Sequence, residues 1–390
     1  MRVTRSVLGC LLPVAMICSA DFLCPQRAQT LEISPQPAKP SDVYKIPLVY
    51  SQENEAIEAA DRLLQQGQSQ LKLSQFRAGL QSFQQALNLY RAAREQTGEA
   101  WALNNMGTAY VSLSDYDRAI DVFQQALPMF RQLNNREGES AILTNLANAY
   151  TAQGQTRKAI EVLQQALPLC RTRRDQPCEA RVLQNLGTAY VFSAQSEQAV
   201  QFLQRSAAVY RELGDRRGEA GSLMNLAVLY NAQNQPRRAM ELLQQVLPVY
   251  RDLKDRNGEA KALTNLGVSY NALAQPKKAV EFLQKALPML RQMGDRNSEA
   301  LALANLGRSY NDLSQPRQGM VFLQQALSIL RDIGDRNGEA YALTNLGVSH
   351  ALLGQKSPAV NALRQAQTIF RTIGNRVFET KIANILSRMK

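Results

Sequence analysis

The chain has 390 residues, 45 Lys and Arg against 33 Asp and Glu, a formal charge of +12 and only 6% aromatic residues. Ala, Leu and Gln dominate, which is the composition of helices and argues against a β-sandwich. The single histidine, His350, leaves little material for nucleophile–base catalysis.

The N-terminus opens with the basic stretch Met1-Arg2-Val3-Thr4-Arg5, followed by the apolar run Val7–Ile17 and the small residues Cys18-Ser19-Ala20. The run is shorter than the roughly 20 residues needed to span a bilayer. It reads as a signal peptide over 1–28, with cleavage after Ala20 or Ala28. That predicts a periplasmic or secreted protein with no stable membrane span after cleavage. Residues 29–50 carry Pro35, Pro37, Pro40 and Pro47 and read as an extended Pro-rich linker. Ser51 is the expected N-cap of the helix that follows.

From 51 to 376 the sequence repeats with a step of 40. The pair Glu99-Ala100 returns as Glu139-Ser140, Glu179-Ala180, Glu219-Ala220, Glu259-Ala260, Glu299-Ala300, Glu339-Ala340 and Glu379-Thr380. A fixed period of this length marks stacked supersecondary units. Within 257–296, Ala260, Leu263, Leu266, Gly267 and Tyr270 form one apolar helical stripe. Gln275-Pro276 interrupts it and opens a second helix, whose stripe is Ala279, Val280, Leu283, Ala286, Leu287 and Leu290. Gly294-Asp295 ends that helix and caps the next. Pro128, Pro168, Pro248 and Pro288 fall late in this second helix, yet the apolar pattern runs past them. Residues 377–390, with Phe378, Ile382, Ile385 and Leu386 on one side, read as a capping helix.

Leu263, Leu266, Gly267, Tyr270, Ala279, Leu283 and Ala286 carry the large, small and aromatic signature that resembles the tetratricopeptide repeat, and it recurs in all eight units. The 40-residue length, with Arg291 where such repeats usually end in Pro, is similar to the kinesin-light-chain-like subtype found in secreted bacterial, including cyanobacterial, proteins. The resemblance implies an all-α, right-handed α-solenoid of eight helix pairs plus the cap. It also implies a non-enzymatic scaffold that holds an extended polypeptide in a concave groove lined by the first helix of each pair, called helix A.

Three registers of helix A face that expected groove. One holds Trp101, Ala141, Arg181, Gly221, Lys261, Leu301 and Tyr341, and a second includes Thr264. The third never varies: Asn105, Asn145, Asn185, Asn225, Asn265, Asn305 and Asn345. A carboxamide offers an acceptor and two donor hydrogens, matching a peptide backbone. The expected ligand is a protein or extended peptide, neutral polar to apolar, held by the Asn ladder with apolar contacts from Trp101, Leu301 and Tyr341. No cofactor and no metal site is read: there is no phosphate-binding loop, and His350 stands in a Tyr register. Cys170 and Cys178 depart from the repeat at one junction, where a disulfide is feasible. The recurring Asp, Glu, Arg and Lys read as solvated charges. Nucleic-acid binding by the basic surface finds no interleaved aromatics to support it. A recognition arm for a caspase-like peptidase on a separate chain is the alternative function.

Overall fold

A computed structural model describes residues 48–73 and 75–389. The signal segment and linker up to residue 47 lie outside the described residues. The described residues divide into two compact units, which meet between Ser193 and Ala194 of the sequence. Among the described residues there are seventeen helices and no strand: in chain order, eight pairs and one helix more. The first unit holds α1 (Leu48–Lys72), α2 (Phe76–Ala92), α3 (Gln96–Ser112), α4 (Tyr116–Gln132), α5 (Arg136–Ala152), α6 (Thr156–Thr172) and α7 (Gln176–Phe192). The second holds α8 (Ser196–Glu212), α9 (Arg216–Ala232), α10 (Pro236–Asp252), α11 (Arg256–Ala272), α12 (Pro276–Met293), α13 (Arg296–Asp312), α14 (Pro316–Asp332), α15 (Arg336–Leu352), α16 (Lys356–Thr372) and α17 (Arg376–Arg388).

Helix α1 begins at Leu48, so Ser51 lies inside its first turn instead of capping it. The other starts follow local chemistry. Helix A is capped by Glu95 in the second pair and by Asp or Asn from the third on: Asp215 Oδ1 accepts from the Gly218 N–H at 2.9 Å, Asp255 from Gly258 at 3.0 Å, and Asp335 from Gly338 at 2.9 Å. The second helix of each pair, helix B, has Gln before it and no side-chain cap, except α4, where Asp115 accepts from the Arg118 N–H; α10, α12 and α14 start at Pro, whose missing N–H is one that a helix start leaves unbonded anyway. Gly214, Gly294, Gly334 and Gly374 end helix B with φ between 68° and 75°, the left-handed conformation that glycine adopts without strain. Helices α4, α6, α10 and α12 run through Pro128, Pro168, Pro248 and Pro288 to the same register as α8 and α14, which lack the Pro.

The two helices of a pair bury different amounts. Helix B is amphipathic, with Gln and charged residues outward. Helix A is packed nearly all round: every residue from Ala262 to Asn271 in α11 is buried. The reason is stacking. In the second unit α11 touches α10 and α12 on one side and also the neighbouring A helices α9 and α13. The core there runs through Leu243, Leu263, Leu283, Leu303, Leu323 and Leu363, one leucine or more per helix. Helix α17 closes this unit, burying Phe378 and Ile382. Among the described residues no helix is long and apolar enough to cross a membrane.

Candidate polypeptide-binding surface

In the first unit, Trp101 is half-buried and packs edge-on against Phe130, ring centroids 5.0 Å apart. The Nδ2 of Asn145 donates to Asn104 Oδ1 at 2.9 Å. Asn105 is buried with no partner for its Nδ2, and Asn145 and Asn185 are half-buried.

In the second unit the ladder bonds to its own helix. Nδ2 of Asn265 donates to the Lys261 carbonyl at 3.0 Å, that of Asn305 to Leu301 at 2.9 Å, and that of Asn345 to Tyr341 at 3.1 Å. Only an N–H can face a carbonyl oxygen, so this bond takes up the Nδ2 of each of these three carboxamides and leaves Oδ1 outside it. Asn225 and Asn345 are half-buried, whereas Asn265 and Asn305 are buried.

Two expected contact residues are closed off. Thr264 is 1% exposed, its hydroxyl donating to the Ala260 carbonyl, and Leu301 is 6% exposed within the core. Asn105, Asn265 and Asn305 are closed in the same way. A-to-A packing narrows the inner face to a seam. Lys261 lies 3.5 Å from Asp295, so it is not a free groove cation. Tyr341 is wedged between Phe370 and Phe378, centroids 5.3 and 4.8 Å away, and burial pushes its hydroxyl well above the usual tyrosine range.

A polar ladder that sequence reasoning missed runs beneath this seam. Nδ2 of Asn231, Asn271 and Asn311 donates to the carbonyls of Asn265, Asn305 and Asn345 at 3.4, 3.1 and 3.0 Å. Their Oδ1 atoms accept from the hydroxyls of Ser269, Ser309 and Ser349 at 2.9, 2.7 and 2.8 Å. Each Asn thus satisfies both sides of its amide across a repeat junction. The signal was present: every Asn in this register is followed 38 residues later by Ser, while Val111 and Thr151 are followed by Ala149 and Ala189.

The charges are also more ordered than expected. The glutamate of each Glu-Ala pair is no solvated loop charge. It accepts from the Nε of an arginine eight residues earlier: Arg91–Glu99, Arg131–Glu139 and Arg171–Glu179 in the first unit, at 2.7, 2.8 and 2.9 Å. Arg211–Glu219, Arg251–Glu259, Arg291–Glu299, Arg331–Glu339 and Arg371–Glu379 follow in the second, at 2.6–2.8 Å. These pairs tie the end of each helix B to the next helix A. Arg308 is different. Burial lowers its pKa, and its nearest carboxylate, Asp312, is 3.8 Å away. Burial raises the pKa of Asp312 despite the opposing pull of Arg308.

Cys170 and Cys178 sit at the α6–α7 junction with Sγ atoms 2.02 Å apart and Cα atoms 5.5 Å apart. His350 Nδ1 is 2.6 Å from Gln355 Oε1. Among the described residues no group of three or more His, Cys, Asp or Glu is placed to hold a metal ion.

Helix pairs of fixed length that rest on their neighbours within each unit define a helical-repeat solenoid protein. The tetratricopeptide repeat family model matches residues 56–132, 138–212, 195–252, 218–292 and 294–372, most of the chain, and the chain belongs to that family. Among solved structures, a signal-transduction ATPase with a tetratricopeptide repeat sensor from Pyrococcus horikoshii is 14% identical over 80% of this chain, with a TM-score of 0.53. This chain spans only 52% of that protein. A Rap protein complexed with Competence and Sporulation Factor is 12% identical over 86% of this chain and 98% of its own, TM-score 0.57. A putative kinesin light chain from Podosopora anserina, with nearly identical repeats, is 22% identical over 53% of this chain and 97% of its own, TM-score 0.41. No curated protein matches the sequence.

Proposed function

We propose that the protein is a non-catalytic scaffold that holds extended polypeptide segments along the inner face of its A helices. The observation that carries this reading is the Asn row, kept at seven of the eight repeats, with Gln65 in the first, although Asn is a mediocre helix former. In the second unit the bonds to Lys261, Leu301 and Tyr341 take up Nδ2, and of these three asparagines Asn345 is the half-buried one, with Oδ1 as its remaining acceptor. An amide oxygen suits the N–H groups of an extended chain. The accessible contacts are Asn145, Asn185 and Trp101 in the first unit, and Asn225, Asn345 and Tyr341 in the second. A neutral ligand is favoured because Lys261 is already paired.

The test is selection of random 16-residue displayed peptides against the intact chain, repeated on a variant with Asn145, Asn185, Asn225 and Asn345 all changed to Arg. Peptides that bind the natural chain and lose at least tenfold on the variant support the reading. Peptides indifferent to the variant contradict it.

The protein acts outside the cytoplasm in this account, with an N-terminal export signal removed by cleavage after Ala20 or Ala28. The support is the basic–apolar–small pattern of 1–20 and a cysteine pair at bonding distance, which persists in oxidising compartments. N-terminal sequencing should return Asp21 or Gln29; Met1 on a cytosolic protein would sink this.

A further inference from the structure

Two clefts open on the helix-B side of the second unit. One, of 490 Å³, lies between α8 and α10 over α9; the other, of 560 Å³, lies between α14 and α16 over α15. Each of the eleven residues lining the first has its counterpart 120 positions later in the second, so they are one site occurring twice, three repeats apart.

Their cause can be read residue by residue. On the preceding helix B, Ala208 and Ser328 stand in the register that holds Pro248 and Pro288 at the two junctions between the clefts. On the following helix B, Leu242 and Ala362 stand where those junctions have Phe282 and Phe322. There Phe282 stacks on Tyr270 at 5.2 Å and Phe322 on Tyr310 at 5.4 Å. Both fillers are missing at both clefts and present at both intervening junctions. One lost ring would be drift; the same two losses at the same two places form a pattern.

The walls and floor define the ligand. Leu223 and Leu226, repeated as Leu343 and Leu346, make an apolar floor. Carboxamides stand on both sides: Gln204 and Gln245 at the first cleft, Gln324 and Gln365 at the second. At the intervening junction Gln284 donates to the Tyr310 hydroxyl at 3.2 Å. At the clefts, Gln204 and Gln324 bond to no described residue, and His350 has replaced the tyrosine that Gln324 would meet.

We propose that the two clefts are paired subsites for one extended polypeptide, each taking an apolar or aromatic side chain on the leucine floor while the glutamines bond its flanking peptide groups. The volumes suit such an anchor. Neighbouring packed helices lie roughly 10 Å apart, so three repeats span on the order of 30 Å. An extended chain rises about 3.3 Å per residue, which sets the anchors roughly nine residues apart. This takes its ligand class from the polypeptide-binding reading but uses the opposite face, independent of the Asn row.

The test uses the same displayed 16-residue peptides on the intact chain. One variant fills the first cleft with the residues its neighbours use, Ala208→Pro with Leu242→Phe; a second fills the other, Ser328→Pro with Ala362→Phe; a third combines them. All four substitutions copy other repeats, and circular dichroism checks that the helices remain. Peptides with two apolar residues roughly nine apart are expected to be enriched. Filling one cleft should weaken them about 100-fold, the loss of two-point attachment, and filling both should abolish binding, while the four Asn→Arg changes leave it intact. If every selected peptide binds the doubly filled chain unchanged and is lost on the Asn→Arg variant, the clefts are refuted and the inner-face reading stands. If no peptide is enriched on the natural chain, both fall.

Discussion

At four helix-B ends a large aromatic residue is followed eight positions later by glycine. Tyr90, Phe130, Tyr210 and Tyr250 precede Gly98, Gly138, Gly218 and Gly258. A methyl group on Gly138 would overlap the Phe130 ring, and one on Gly258 the Tyr250 ring. At two junctions with a smaller first residue the glycine is replaced, Leu290 facing Ser298 and Cys170 bridged to Cys178, while Leu330 keeps Gly338 and Phe370 meets Phe378. Phe130 is fully buried and cannot yield. Gly138→Ala should therefore destabilise the protein by about 1–3 kcal/mol, measured by urea unfolding; an unchanged midpoint would remove close packing as the reason for the glycine. Arg308 gives the opposite prediction. Its register holds Val268 and Val348 in the flanking repeats, and its side chain is 22% exposed, with the Asn271 carbonyl at 3.5 Å and its carboxylate, Asp312, at 3.8 Å. Arg308→Val should raise stability by about 1 kcal/mol or more, measured in the same way. The recurring glycine is visible in the sequence, but its contact is not, because the ring it meets lies on the preceding helix across a turn. The orientation of the Asn carboxamides is not visible either, since it depends on which atom meets a backbone carbonyl.

At the scale of the helix, the starts, stops and pairing were legible from Gln-Pro, Gly-Asp and the apolar stripes, because those signals act within one turn of the chain. The role of the Glu-Ala pair was misread because its arginine belongs to the preceding helix, across a turn that a helical period does not cross. Eight such pairs clamp successive helices, and they differ in depth: the Glu299 side chain is 10% exposed, that of Arg291 49%. Glu299→Ala should cost about 1.5–3 kcal/mol, the range for hydrogen bonds to charged groups. Glu219→Ala, at a site 23% exposed, should cost less. Thermal unfolding of the two variants decides this; equal losses would mean that burial does not set the strength of the clamp.

At the scale of the molecule, a repeat array is stabilised by contacts between neighbouring units, so each helix A carries two tasks, filling the stack and presenting a surface. The one-repeat pattern shows which registers face inward but not how closely successive A helices approach. Thr264 and Leu301 were therefore expected at the surface and found in the core. The half-buried Asn145, Asn185, Asn225 and Asn345 remain as the inner-face contacts, and the clefts at Ala208 and Ser328 add a second surface on the helix-B side. The claim that the inner face receives a polypeptide is tested most directly by photo-cross-linking. A peptide selected on the intact chain and lost on the Asn→Arg variant carries a photoreactive residue at each position in turn, and the adducts are mapped by mass spectrometry. The account predicts adducts on the A helices α5, α7, α9 and α15, within a turn of Asn145, Asn185, Asn225 and Asn345. Adducts confined to the B helices, with none on any A helix, would contradict it.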